Sequence, residues 1–570
     1  MHSMTLLNNA KRPGTEPSES PRLRDAVVLA IVIGLFFALF LGSRPLSVPD
    51  EGRYVEIPRE MTVTGDWLTP RLNGVKYFEK PPLFYWFEAV LIKLFGLGEW
   101  SVRLGPALFA LFGCLTVYYA GTRLFGRRAG ILSAAVLASS VLYYALSRLI
   151  SLDMPVSVLL TAALLSFLLG TQEQEKKARR LFFWGFYAFA ALTTLTKGLI
   201  GIVFPGMIIF LWMLVTGEWR VLRTMHLLSG LAFFLMIAAP WHILTGRANP
   251  EFFDFYFIRE HFQRYLTKVH HHYKPAWFYL PILIGGLFPW SAFLMQAVRH
   301  ALPPNSWKDR KNYQAEIFLL LWALLIFLFF SASSSKLIPY LLPVLPPLAL
   351  LIGKYLADGW HGNAPWGFRA GKIAYSVITA VFAIGLFIVH RSVPALNTFG
   401  MIVVCWTVGG WLVLGIIAVW TARGRDTVTR VVSHIVLAFS VFFIAGSALA
   451  PSLDTRSLKP LAMTLKPLLR PGDELMNFQN YYQDLPVYLE RRITIVNWKG
   501  ELEFGTTIED VSSWMIDEAE LWKRWNGPRR IFLAAGKKDA DALRKTPGKA
   551  FFLIAETQNT VILSNSEATP

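Results

Sequence analysis

Long apolar runs broken by short polar stretches fill the first 450 residues. Thirteen of them lie at about 26–43, 101–122, 130–149, 154–170, 181–196, 198–216, 226–244, 277–297, 315–331, 337–353, 373–390, 400–420 and 431–449. Each approaches the roughly 17–25 residues with which a helix crosses the hydrocarbon layer. In lipid every backbone polar group needs an internal partner, so runs of this length read as transmembrane helices. The pattern predicts a polytopic α-helical membrane protein.

One further run, 82–97, is short and contains Glu88 and Lys93. Charge decides its placement, because cytoplasmic loops collect Lys and Arg. With residues 1–25 as a cytoplasmic tail, one set of loops holds Arg123, Lys176, Lys177, Arg220, Arg299, Lys354, Arg369 and Arg430, all on the cytoplasmic side. Counting 82–97 as a span would move every later basic loop outside. It is therefore expected to lie in the interface. The opposite loops, 44–100 and 245–276, are long, aromatic and mixed in charge, as loops that carry function are. Residues 26–450 read as a transmembrane catalytic domain that works at its outer face.

From residue 451 the pattern changes. Strand-like runs at 474–478, 493–497, 530–535 and 550–554 alternate with helical stretches near 507–525 and 538–545. That alternation predicts a C-terminal soluble α/β domain over 451–570, and thirteen spans place it outside.

Composition agrees. Residues are 54% hydrophobic and 16% charged, with a mean hydropathy of +0.42, whereas soluble domains carry about 25% charged residues. The net charge of +18 lies wholly in the first 450 residues, 40 basic against 22 acidic, because the rest holds 16 of each. No nucleic-acid motif is present. The surplus therefore belongs to cytoplasmic loops or to the anionic phosphates of membrane lipids. The two cysteines, Cys114 and Cys405, sit in apolar runs, which disfavours a disulfide framework and a cysteine-ligated zinc site. The first run lacks a small-residue cleavage site and is expected to stay as an anchor.

Ionisable residues gather at the outer ends of the runs. Asp50 and Glu51 follow the first run directly, with Arg53 and Tyr54 beyond them. Adjacent acids beside apolar helices are costly unless paired, liganded or solvated. Arg44 and Arg53 as counter-ions of a solvated loop are the competing explanation. Tyr77, Glu79 and Lys80 precede Pro81-Pro82, whose rings bar a helix before residue 82. An ammonium held there suits a lipid phosphate, although it also fits an ordinary snorkelling lysine. Asp153 stands between two runs with almost no loop, where it is both a functional candidate and a natural helix cap. Lys197, Lys336 and Tyr340 occupy other outer turns, and Arg264 and His261 lie in the long outer loop. His270-His271-His272 cannot share one helix or strand face and read as exposed. No G-x-x-x-x-G-K-[ST], H-E-x-x-H or G-x-S-x-G occurs. A transporter or flippase would place its polar groups at mid-membrane. The outer clustering favours an enzyme that acts on lipid head groups.

These motifs, in this order, resemble the GT-C membrane glycosyltransferases. They run Pro49-Asp50-Glu51-Gly52-Arg53-Tyr54, Phe78-Glu79-Lys80-Pro81-Pro82-Leu83, Leu152-Asp153-Met154-Pro155, Leu195-Thr196-Lys197-Gly198 and Ser335-Lys336-Leu337-Ile338-Pro339-Tyr340. The chain looks most like the aminoarabinose transferases (ArnT) of Gram-negative bacteria, relatives of the protein O-mannosyltransferases. The segment Tyr481–Leu489 is similar to theirs as well. The resemblance implies thirteen spans, a periplasmic active site and α/β domain, and residence in the bacterial inner membrane. It implies transfer of 4-amino-4-deoxy-L-arabinose from undecaprenyl phosphate to lipid A phosphates, by a monomer. By resemblance Asp50 is the catalytic acid, supported by Asp153. Glu51, Arg53, Tyr54, Tyr77, Glu79, Lys80, Lys197, Arg264, Lys336 and Tyr340 bind substrate. A divalent metal ion on Glu79 and His261 is an alternative that the spacing does not require. The alternative activities are transfer of another polyprenyl-phosphate sugar to a hydroxyl, and lipid flipping.

Overall fold

A computed structural model describes residues 22–256, 274–303, 307–360, 364–393, 396–422, 427–454 and 456–567. The first elements are α1 (Leu23–Ala38), α2 (Asp50–Thr64), a hairpin of β1 (Arg71–Leu72) and β2 (Val75–Lys76), α3 (Leu83–Phe95), α4 (Glu99–Phe125), α5 (Arg127–Ala138), α6 (Val141–Leu146), α7 (Asp153–Gln172), α8 (Lys176–Lys197) and α9 (Ile200–Thr216). Helices Leu227–Ala248, Gln314–Ala332, Leu345–Asp358, Phe368–Ile388, Phe399–Thr421 and Thr427–Leu453, with the bent pair Ala276–Leu287 and Trp290–Ala301, follow in the membrane part.

Each of the thirteen apolar runs lies on helix over most of its length. Among the described residues, eight helices are long and apolar enough to cross a membrane, or nine if one bent pair is a single span. The others fall short for separate reasons. Helix α1 has 16 residues and α9 has 17. The run at 130–149 breaks at Ser139-Ser140, between α5 and α6. The run at 277–297 bends by 105° between Ala276–Leu287 and Trp290–Ala301, where Pro289 has no N–H for the helical ladder. Helix α8 opens with Lys176, Lys177, Arg179 and Arg180. Helix α7, by contrast, is 89% buried inside the protein over its apolar window. The chain is a multi-pass membrane protein. Both cysteines are free and buried.

The α/β expectation for the C-terminal region is met by a six-stranded sheet of order β5-β4-β3-β6-β8-β7. Its strands are β3 (Glu474–Phe478), β4 (Thr494–Val496), β5 (Met515–Ile516), β6 (Ile531–Gly536), β7 (Phe552–Glu556) and β8 (Thr560–Ser564). The first four in spatial order are parallel, and β8 and β7 add antiparallel. Two expectations are corrected. Residues 507–525 are not one helix, because β5 interrupts them and the helix Glu518–Trp525 starts only where Asp517 caps the N–H of Glu520. The last strand run shifts to β7 and is followed by β8, which pairs it to the sheet.

One face of the sheet packs inside the soluble region, with Phe478, Val496, Leu521, Trp525 and Leu563. The other face joins Phe532, Ala534 and Ile562 to Val55 of α2, Phe84 of α3 and Val102 of α4 in a single core. The two come close at Gly52. A Cβ there would stand 2.6 Å from the backbone N of Asp484, so only glycine lets α2 approach this strongly.

Candidate active site

Asp50 is the first residue of α2, and its side chain is 60% exposed. The partial positive charge of the helix N-terminus favours a carboxylate there. Arg53, one turn on, places Nη1 3.3 Å from Asp50 and Nε 2.5 Å from Glu501 of the soluble domain. Glu501 also accepts from Gln483 Nε2 at 2.8 Å. Burial raises the carboxyl of Glu501, the Arg53 charge opposes this, and Glu79 adds to it. Arg53 is thus engaged by two carboxylates.

Tyr54 is the hub of the acidic side. Burial pushes its phenol well up, and the charges of Asp50, Asp153 and Glu79 reach it. Tyr77 is raised by burial and by Glu79, and Tyr85 by burial, Tyr54 and Glu79. Lys80 donates to the carbonyl of its neighbour Glu79 at 2.8 Å.

Asp153 begins α7 and Lys197 ends α8, so two antiparallel helices bring them together at 2.5 Å. The Lys197 ammonium also lies 4.9 Å from the centre of the Tyr340 ring, a cation–π contact. Lys336 is 4% exposed and donates to the carbonyls of Lys274 and Ser333. Burial lowers its ammonium. The structure therefore gathers Asp50, Arg53, Tyr54, Asp153, Lys197 and Tyr340 at one end of the helix bundle.

The reading of Glu51 as a substrate ligand is corrected. Its side chain is fully buried and accepts from Arg44, Arg103, the N–H of Ser47 and the N–H of Ile150. Burial alone would raise its carboxyl, but Arg103 and then Arg44 hold it below the ordinary range. No lone pair is left for a ligand, and Glu51 fastens the loop instead. Arg44 is likewise engaged, 3.0 Å from Glu51 and 3.6 Å from Asp454.

Arg264 and His261 lie outside the described residues, as does the long run around them. The Glu79–His261 metal pair therefore falls outside as well. Among the described residues no group of three or more His, Cys, Asp or Glu could hold a metal ion. Sequence reasoning missed Glu501, whose role depends on a soluble domain folding back on α2. It also missed Arg103, although a cation inside an apolar run is itself a signal.

Farther along α2 lies a buried carboxyl pair. Glu56 is fully buried and takes two 2.6 Å bonds from Arg59. Glu60 accepts the N–H of Gly74 at 3.0 Å, and burial, with Glu56 beside it, pushes it up to about 8. Folding thus favours protonated Glu60. This contribution is full below the unfolded glutamate value of ~4.3 and is lost as pH rises through about 8. Glu60→Gln, which mimics the protonated form, is expected to match wild type in a thermal melt near pH 5 and to exceed it by several degrees above pH 8. Parallel melting curves across that range would contradict this.

Comparison with known proteins follows the same outline. Residues 79–244 match the model of dolichyl-phosphate-mannose-protein mannosyltransferases, and residues 461–565 match the aminoarabinose transferase C-terminal domain. An undecaprenyl phosphate-alpha-4-amino-4-deoxy-L-arabinose arabinosyl transferase of Proteus mirabilis is 30% identical over 85% of this chain and 87% of its own length. The chain belongs to this family of arabinosyl transferases. A member from Pectobacterium carotovorum is 29% identical over 92% of this chain and 95% of its own. The crystal structure of ArnT from Cupriavidus metallidurans bound to undecaprenyl phosphate superposes with a TM-score of 0.83 at 29% identity, covering 96% of this chain and all of that one. The family thus carries the GT-C membrane glycosyltransferase fold expected from the motifs, and its members are glycosyltransferases.

Proposed function

We propose that this protein transfers 4-amino-4-deoxy-L-arabinose from undecaprenyl phosphate to a phosphate of lipid A, at the periplasmic face of the bacterial inner membrane. The full-length likeness to arabinosyl transferases named for that donor carries the reading. The acid–cation cluster gives it a chemistry.

A lipid A phosphate oxygen attacks C1 of the sugar. The bond from C1 to the carrier phosphate oxygen breaks, its electron pair leaves with that oxygen, and polyprenyl phosphate is released. Charge therefore builds on the carrier phosphate, where Lys80, with Arg264 or Lys336, neutralises it. Tyr340 donates a hydrogen bond to the same group. The acceptor phosphate is already anionic near neutral pH, so it needs no base. Asp50 instead holds the ammonium of the aminosugar, a charge-assisted bond. Asp153 and Lys197 neutralise one another beside it. The protein works as a monomer.

The match of residues 79–244 to a protein mannosyltransferase model favours a second reading, in which the acceptor is a hydroxyl. That acceptor must lose a proton, and Asp50 would take it.

Mass spectrometry of lipid A from cells with and without the gene tests the proposal, with donor synthesis intact. One aminoarabinose added to a lipid A phosphate, only when the gene is present, is expected. Unchanged lipid A would overturn it, and modification of a protein hydroxyl instead would establish the second reading.

A further inference from the structure

The loop before Asp50 winds around one guanidinium. Arg103, in the first turns of α4, is 1% exposed. Its Nη1 donates to the carbonyls of Leu41 at 3.2 Å and Arg44 at 2.5 Å. Its Nη2 donates to the carbonyl of Pro45 at 2.7 Å and to Glu51 Oε2 at 2.8 Å, and its Nε to Glu51 Oε1 at 3.0 Å. These five bonds use every N–H that a guanidinium has. They join the turn after α1, the loop and the first turn of α2 to one side chain of a different helix.

The return contacts are equally complete. Glu51 accepts from Arg44 at 3.0 Å, from the N–H of Ser47 at 2.8 Å and from the N–H of Ile150 at 3.2 Å. The Ile150 bond ties the same carboxylate to the turn that leads into Asp153. Asp50 and Asp153 are thus both within three residues of a group bound to one carboxylate, and Arg103 holds that carboxylate.

We propose that Arg103, acting through Glu51, is a positioning residue for Asp50 and Asp153. It sets the distance between the two acids across the site. The proposal rests on the reading that Asp50 contacts substrate. A lysine cannot replace it, because an ammonium lacks the planar fork that bridges both carboxylate oxygens and three carbonyls at once.

A buried ion pair often has another use, which is simply to keep the fold, and two variants of the full-length protein separate the uses. In Arg103→Lys the charge stays but the fork is lost. In the double variant Arg103→Met/Glu51→Leu the pair is exchanged for apolar side chains of similar volume, which leaves no lone charge from the pair buried but takes their partners from the carbonyls of Leu41, Arg44 and Pro45 and the N–H groups of Ser47 and Ile150. Both are purified, reconstituted in vesicles with the aminosugar donor and lipid A, and followed by initial rate and thermal melt.

We expect Arg103→Lys to lower kcat by roughly 10- to 100-fold, with KM for the donor within about twofold of wild type. The double variant is expected to melt below wild type, because those backbone groups lose their partners, yet to remain folded at the assay temperature with a low kcat. Wild-type kcat in Arg103→Lys would overturn the proposal. So would a double variant that is folded at the assay temperature and turns over with wild-type kcat, since the acids would then hold their places without Arg103 and Glu51. If Arg103→Lys does not fold, the double variant decides alone. Wild-type turnover in the same vesicles reports on the proposed function, and the ratio of variant to wild type reports on Arg103.

Discussion

Asp50→Asn is expected to lower transfer to lipid A by roughly 10²–10³-fold, the scale of losing one charge-matched group at a reacting centre. The substitution keeps the size of the side chain, so the loss isolates its charge. Asp50 stands at the start of α2, 3.3 Å from Arg53, and its side chain is more exposed than those of Asp153 and Glu501. Its neighbour Glu51 is fastened by Arg103 and is not available to replace it. A donor with a hydroxyl in place of the 4-amino group sharpens the result. If Asp50 holds the ammonium, wild type and Asp50→Asn should transfer that donor at similar, low rates. If Asp50 acts as a base, the variant should lose both donors alike. Full transfer of the aminosugar by Asp50→Asn would remove Asp50 from the mechanism.

The second large effect concerns the leaving group. Lys80→Met is expected to reduce kcat by roughly 10²–10³-fold with little change in thermal stability. Lys80→Arg, which keeps the charge, should recover part of the loss. The lysine is held beside the paired prolines, with Nζ 2.8 Å from the Glu79 carbonyl, so its charge is placed before any substrate arrives. Steady-state rates at saturating donor check the prediction. An unchanged kcat with only a raised KM would show that Lys80 binds the carrier without stabilising its departure.

Much of the site could be read from residue order because apolar spans make ionisable residues conspicuous. Asp153 between two runs and Lys197 in a tight turn stood out for that reason, and the structure sets them 2.5 Å apart. Tyr340 joins them through the ring contact with Lys197. Glu51 shows the limit of the same logic. Two adjacent acids look alike in a sequence, yet one is exposed and its neighbour, one residue round the helix, is fully buried. Helical geometry separates them by about 100°, and only packing decides which way each turns. Glu501 was illegible because it lies far along the chain in a neutral domain. It reaches the site only because β3–β8 and the loops around them pack on α2 at Gly52. The spans were legible as apolar runs but not as straight crossings, since the breaks at Ser139-Ser140 and Pro289 have apolar sequence on both sides.

A new bond between the sugar and a lipid A phosphate separates transfer from mere movement of lipid. Its most direct measurement uses the purified wild-type protein, reconstituted with undecaprenyl-phosphate aminoarabinose and lipid A and followed by mass spectrometry of both lipids. Lipid A is expected to gain one aminoarabinose on a phosphate as an equal amount of undecaprenyl phosphate is freed. Lipid A that keeps its mass, whether the donor is intact or merely moved across the bilayer, would contradict it.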